Sequence, residues 1–287
     1  MTDSSTLVST DWLADNLGAD DLRVIDASWR MPGADAPARA AYEERHIPGA
    51  QFFDIDAIAD KSIDLPHMTP PPEIFAEAVG RMGVSETDRV VVYDDAGLFS
   101  APRVWWTFRA MGHGPVMVLD GGLEKWLAED RPVTKEIVAP KPVFYRTRPV
   151  KNAACRAADM RLALQRGDTV VLDARPADRF EGRAPEPRAG LRSGHMPGAK
   201  NLPAGIVLNE NGTMKDAAAL KELFANAGIG ADTPVVTTCG SGVTAAILSF
   251  ALDRAGHSRH GLYDGSWAEW GDVRRSLQEF PVATGAV

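Results

Sequence analysis

His46-Ile47-Pro48-Gly49-Ala50 returns as His195-Met196-Pro197-Gly198-Ala199, 149 residues further along the chain. Upstream, Val24-Ile25-Asp26-Ala27 returns as Val171-Leu172-Asp173-Ala174 at a shift of 147. Downstream, Asp120-Gly121 with Trp126 returns as Asp264-Gly265 with Trp270 at a shift of 144. Three collinear matches whose shifts differ by only a few residues describe a duplicated domain with loops of unequal length. A period this long is a whole domain and not a solenoid unit. The length agrees, because 287 residues exceed what a single hydrophobic core commonly serves.

Within each half, short β-branched runs alternate with helical patterns, which predicts an α/β fold: a mainly parallel sheet flanked by helices on both faces. In the first half the strands are expected at 23–27, 51–53, 90–93 and 116–119, with helices at 72–82, 102–111 and 123–129. In the second half they are expected at 170–173, 234–238 and 261–263, with helices at 156–165, 217–227, 243–254 and 267–273. Pro140, Pro142 and Pro149 punctuate the stretch between the halves. The division expected is a first domain over 1–138, a semi-rigid linker over 139–151 and a second domain over 152–287.

Composition narrows the function. With 45% hydrophobic and 24% charged residues the chain is of ordinary globular composition. Its 39 Asp and Glu outnumber 31 Lys and Arg, for a net charge of −8, which argues against nucleic acid or an anionic membrane as partner. An anionic substrate would need local cations. The first 22 residues hold five aspartates and no Lys or Arg, the wrong charge for a targeting peptide, so a cytoplasmic location is expected. The uncharged run from Thr233 to Leu252 is long enough to span a bilayer, yet it carries Pro234, Gly240, Gly242 and four threonines. It reads better as a buried strand, a tight turn and a buried helix. Two cysteines, Cys155 and Cys239, do not make a disulfide framework.

Val235-Val236-Thr237-Thr238-Cys239-Gly240-Ser241-Gly242-Val243-Thr244-Ala245 runs from an apolar strand through a two-glycine turn into a helix. Ligands collect at such carboxyl strand ends. Two glycines let successive backbone N–H groups converge on one point, and the helix start adds partial positive charge there. A thiol at that focus is set up as a thiolate nucleophile. The same letters fit the dinucleotide pattern G-x-G-x-x-A, but that fingerprint opens the first strand–helix unit of its domain and this one follows earlier strands. A cysteine phosphatase loop would need Arg where Ala245 stands.

The duplicated HxPGA, the paired Asp-Gly motifs and the Cys-Gly-Ser-Gly-Val-Thr loop together resemble the tandem-domain rhodanese-type sulfurtransferases, over nearly the whole chain. The resemblance implies two rhodanese-like domains with the sulfur-carrying cysteine in the second alone. At a shift of 144 the first-half counterpart of Cys239 is Asp95. Members that use thiosulfate carry two cations after the cysteine. Gly240 and Ser241 stand there instead, as in the branch that uses 3-mercaptopyruvate. In that branch a loop serine is linked to a histidine and an aspartate, and Ser241, His67 and Asp56 fall at the matching places. Such a relay moves protons near neutral pH.

The resemblance also puts Arg179 and Arg188 on the substrate carboxylate, a task suited to the guanidinium fork, with Arg183 and Arg192 close by as rival assignments. Gly240, Gly242, Val243 and Thr244 would bind through the loop. The reaction implied passes sulfur from 3-mercaptopyruvate through a Cys239 persulfide to a small thiol, a thioredoxin-like dithiol or cyanide, releasing pyruvate, with no cofactor or metal. Thiosulfate:cyanide transfer and non-enzymatic persulfide carriage are the alternatives. His46 and His195 occur in both halves and read as structural turns. Asp253, His257 and His260 have helical spacing without a further ligand, and Trp126 and Trp270 are expected in the cores.

Overall fold

The structure, a computed structural model, describes residues 6–31 and 33–286. It contains two compact units. The first holds β1 (Leu7–Val8), α1 (Thr10–Asn16), β2 (Leu22–Asp26), α2 (Ala38–Glu44), β3 (Gln51–Phe52), α3 (Pro72–Arg81), β4 (Arg89–Tyr93), α4 (Ala101–Ala110), β5 (Val116–Leu119) and α5 (Gly122–Ala128). The second holds β6 (Ala154–Cys155), α6 (Ala157–Arg166), β7 (Val170–Asp173), α7 (Ala177–Phe180), β8 (Lys200–Asn201), α8 (Ala217–Asn226), β9 (Val235–Thr238), α9 (Ala245–Arg254), β10 (His260–Tyr263) and α10 (Ser266–Trp270).

Each sheet has five strands, all parallel, in the orders β1-β5-β4-β2-β3 and β6-β10-β9-β7-β8. Successive strand residues face opposite sides, and Val90, Val91, Val92 and Tyr93 are all fully buried. Both faces of the first sheet are therefore covered. On one, Val91, Tyr93 and Leu119 pack with Leu13, Tyr42 and Trp126; around α3 and α4, Phe75 and Phe108 meet edge to face at 5.0 Å. In the second unit Val171, Val236 and Tyr263 pack with Met160, Phe180, Trp267 and Trp270. The repeat-matched tryptophans are core residues.

The expected elements are present, the strands at 116–119 and 170–173 with the expected bounds and the others with shifted ends, and several short ones escaped the sequence reading. Two-residue strands are too short for a periodicity. The helix expected from Val243 begins at Ala245, because the two residues before it belong to a loop. The helix expected to reach Val273 ends at Trp270, since Asp272 bridges to Leu191. The HxPGA segments are turns: Gly49 and Gly198 have φ of +80° and +82°, and Nδ1 of His46 and of His195 faces a backbone carbonyl. His257 Nε2 lies 2.8 Å from Thr233 O and His260 Nδ1 2.9 Å from Ser249 Oγ. The uncharged run 233–252 is β9, loop and α9. Among the described residues no helix is long and apolar enough to cross a membrane.

The units do not follow the chain strictly. Residues 61–68 belong to the second unit and 210–214 to the first, so equivalent loops of the two repeats are exchanged. Within the first unit Met214 N–H donates to Asp120 Oδ1 at 2.8 Å. Residues 139–151 are no free spacer. They are strapped to the first unit by N–H donation from Val143 to Gly80 O, from Arg148 to Met111 O and from Val150 to Ala110 O, at 2.8–2.9 Å. Gly112 allows this approach, because a Cβ there would stand 2.1 Å from Arg148 O.

Candidate active site

Cys239 follows β9, is buried, and its Sγ accepts the Gly242 N–H at 3.1 Å. Gly242 reaches that position with φ +83°, a left-handed conformation that costs other residues energy. Two anchors at the start of α10 hold the loop from behind. Trp267 N–H donates to Cys239 O (2.9 Å) and Ala268 N–H to Gly240 O (2.8 Å). Cys239 N–H donates to Ser266 Oγ at 3.3 Å, and that hydroxyl donates to Tyr263 O at 2.8 Å. Ser266, itself at φ +48°, was not singled out by the sequence.

The first unit explains what such a loop holds. Ala27 N–H donates to Tyr93 O as Ala174 N–H does to Thr238 O, and Leu123 N–H donates to Asp94 O as Trp267 N–H does to Cys239 O. The counterpart of Cys239 is thus Asp94, not Asp95. The loop between strand and helix is one residue longer in the first unit, so a shift of 144 read across it is one residue out. The Asp94 carboxylate fills its own loop: Oδ1 accepts from Ala96 N–H (2.9 Å), and Oδ2 from Phe99, Ser100 and Ala101 N–H (2.9, 2.8 and 2.7 Å). Burial raises this carboxyl above its ordinary value, although the four amides pull it down. Counting back from the first residues of α4 and α9, the matching amides in the second unit are those of Val243, Thr244 and Ala245. At the place of the Asp94 carboxyl the second unit has Cys239, whose Sγ takes the Gly242 N–H.

Arg179 stands over the loop, its Nη2 3.1 Å from where Gly240 would carry a Cβ. Glu186 fixes it, pairing through Oε2 with Arg179 Nη2 and through Oε1 with Arg179 Nε at 3.3 Å. The same Oε1 takes Arg175 Nη1 at 2.8 Å. Arg175 is buried, held by Asp173 and by Gly194 O, with its guanidinium 4.4 Å from the Trp267 ring. Arg175 and Glu186 escaped sequence reasoning. The available signal was the break in the repeat, where Asp26-Ala27-Ser28 becomes Asp173-Ala174-Arg175.

Arg188 Nη2 donates to His67 Nε2 at 3.2 Å. Both lie in the second unit, although His67 comes from the first half of the sequence. His67 is buried with φ +58°. Asp56 lies in the first unit and accepts Trp29 Nε1–H at 2.8 Å. Ser241 is buried in the loop, as is Val243, while Thr244 is half-buried. Of the rival arginines, Arg183 pairs with Glu181 at the surface, and Arg192 donates to the carbonyls of Asp272, Val273 and Arg275. A cavity of about 250 Å³ is lined by Leu65, Pro66, Arg188, Gly190 and Arg274 among others. A larger one, about 470 Å³, lies in the first unit and holds none of these residues.

The rhodanese-like domain family matches residues 9–129 and 156–272. A human protein named 3-mercaptopyruvate sulfurtransferase is 42% identical over 270 residues, covering 92% of this chain and 91% of that protein. An Escherichia coli K12 protein of the same name is 40% identical over 276 residues, covering 96% and 98%. The crystal structure of SseA from Escherichia coli, described as a 3-mercaptopyruvate sulfotransferase with the rhodanese fold, superposes with a TM-score of 0.83 at 38% identity, covering 92% of this chain and 99% of that one. With both halves matched and relatives aligned over nearly its full length, the chain belongs to the rhodanese family as a tandem-domain member.

Proposed function

We propose that this chain is a sulfur-transferring enzyme whose donor is 3-mercaptopyruvate and whose carrier is a Cys239 persulfide. One observation above all supports this: the loop whose amides close on the Asp94 carboxyl in the first unit has its counterpart at Cys239 in the second, where the Gly242 N–H reaches the sulfur. In Asp94 the outer oxygen is two bonds from Cβ, as the outer sulfur of a cysteine persulfide would be. Three amides on Oδ2 make Asp94 an internal mimic of the persulfide anion, and Val243, Thr244 and Ala245 supply the corresponding donors.

Arg188 and the part of Arg179 not engaged by Glu186 receive the donor carboxylate. The Cys239 thiolate attacks the donor sulfur. An S–S bond forms, and the carbon–sulfur bond breaks with its electron pair going to carbon. The resulting enolate takes up the proton that left the donor thiol, giving pyruvate, and Ser241, His67 and Asp56 carry that proton. An acceptor thiolate, from a small thiol or a thioredoxin-like dithiol, then attacks the outer sulfur. The S–S bond breaks with its electron pair returning to Cys239, which closes a ping-pong cycle. The proposed compartment is the cytosol, where reductants keep thiols such as Cys155 and Cys239 free.

Intact-mass and peptide analysis after incubation with 3-mercaptopyruvate tests the reading. One added sulfur on the Cys239 peptide is expected. Loading on Cys155, or none, overturns it. A higher kcat/KM for thiosulfate than for 3-mercaptopyruvate would move the enzyme to the thiosulfate branch, and sulfur loading only from a partner protein would make it a carrier.

A further inference from the structure

His67 cannot act as a base while it is bonded as it is here. A guanidinium has donors and no acceptor, so the 3.2 Å contact between Arg188 Nη2 and His67 Nε2 fixes the roles: Arg188 donates, and Nε2 accepts. A neutral imidazole has one acceptor nitrogen. Its proton is then on Nδ1, and the lone pair that would receive a proton from the donor thiol is occupied. A cation in contact with the ring also opposes a second positive charge on it.

We infer that Arg188 caps the base and that the donor's own carboxylate removes the cap. A carboxylate is a far better partner for a guanidinium than an imidazole nitrogen is, because the bond becomes charge-assisted at both ends and can be bidentate. Arg188 also lines the cavity of about 250 Å³, which gives the guanidinium room to leave the ring. Binding of a 2-oxo acid thiol draws Arg188 onto the carboxylate and frees Nε2; a thiol without a carboxylate leaves the base capped. Arg188 thus selects the donor twice, by holding its carboxylate and by arming proton transfer once it is held. No bond is made or broken in this step beyond the exchange of one hydrogen bond for another.

This rests on the proposed 3-mercaptopyruvate reaction, and the test separates the two. The probe is 1-mercaptopropan-2-one, which keeps the ketone and thiol and lacks the carboxylate. Arg188→Met removes the cap with little change in side-chain volume. It should lower kcat/KM for 3-mercaptopyruvate and raise kcat for 1-mercaptopropan-2-one by about ten- to a hundredfold, the range set by a hydrogen bond with one charged partner. In the unaltered enzyme, acetate should accelerate turnover of 1-mercaptopropan-2-one by supplying the missing carboxylate, and it should do nothing for Arg188→Met. A folded Arg188→Met enzyme with an equal or lower kcat on the probe overturns the inference. Should that variant fold poorly, absence of acetate activation in the unaltered enzyme overturns it equally. Failure of 3-mercaptopyruvate to load sulfur on the unaltered enzyme would instead remove the reaction itself.

Discussion

Cys155 and Cys239 carry the same thiol in different surroundings. Burial, with Asp159 adding to it, pushes the Cys155 thiol up to about 11, so it stays protonated at neutral pH; its Sγ lies 3.0 Å from where Gly261 would carry a Cβ. Cys239 instead has an amide donor on its sulfur. Cys239→Ser should abolish both sulfur loading and pyruvate release, and Cys155→Ser should leave both rates intact, as measured by intact mass and by pyruvate formation. Glu186 is the residue on which two cations depend. Its side chain is 1% exposed and pairs with Arg175 and Arg179. Glu186→Ala takes from Arg179 its carboxylate partner and leaves Arg175 to Asp173, and removing one member of a buried ion pair costs about 3–5 kcal/mol. The unfolding free energy from a denaturant titration should fall by that order, whereas Arg183→Ala, which breaks an exposed pair with Glu181, should barely change it. A small loss in Glu186→Ala would mean that Asp173 and Gly194 O satisfy Arg175 without it.

Between β9 and α9 the loop has to turn its amides inward, and Gly242 permits this. Gly242→Ala places an L side chain at φ +83°, a strain of about 1–2 kcal/mol, and pulls the Gly242 N–H away from Cys239 Sγ. Gly49→Ala is the control: its φ is +80°, and a Cβ there would meet nothing within 4 Å. Both variants should lose similar stability in thermal melts, while kcat per folded enzyme should fall only in Gly242→Ala. Equal kcat values would detach the loop turn from catalysis. The strand, turn and helix around Cys239 were legible because β-branched residues, glycines and an apolar helix follow one another in the sequence. The duplicated fold was legible because loops of unequal length still leave the turn motifs in order. The pairing of Asp94 with Cys239 was not, since matching letters at one shift cannot register a loop that is one residue longer; strand register and backbone hydrogen bonds do. Nor were the roles of Arg175 and Glu186, whose partners are set by tertiary approach, or the exchange of residues 61–68 and 210–214 between units, which no local pattern encodes.

For the whole chain, stability responds to pH through groups that pull in opposite directions. Glu129 is lowered to about 2 by Lys125, Thr10 and Arg131. Its contribution is present above the ordinary carboxylate range and lost as pH falls toward 2, but these ion pairs lie at the surface and solvent screens them. Asp26, on β2 of the first unit, has the opposite sign. Burial pushes its carboxyl up to about 6 despite hydrogen bonds from Ser28 and Tyr93. The folded chain therefore holds this proton more tightly than the unfolded chain. Between pH 3.8, the ordinary value, and about 6 the native state binds more protons than the unfolded state, so stability falls as pH rises through that window. Moving the carboxyl from 3.8 to about 6 corresponds to about 3 kcal/mol. Asn at position 26 keeps an oxygen to accept the Ser28 N–H, now at 2.9 Å, and has no charge to bury. Asp26→Asn should therefore gain stability relative to the unaltered chain as pH is raised from about 4 to 7.5, by up to about 3 kcal/mol, read as diverging denaturation midpoints in parallel titrations. Its effect on sulfur loading at Cys239 should be nil at temperatures where both chains are folded, because Asp26 is buried on β2, bonded to Ser28, and is no member of the proposed proton relay. A pH-independent difference between the two chains would mean that Asp26 is ionised in the folded protein throughout this range, and that Ser28 and Tyr93 outweigh its burial.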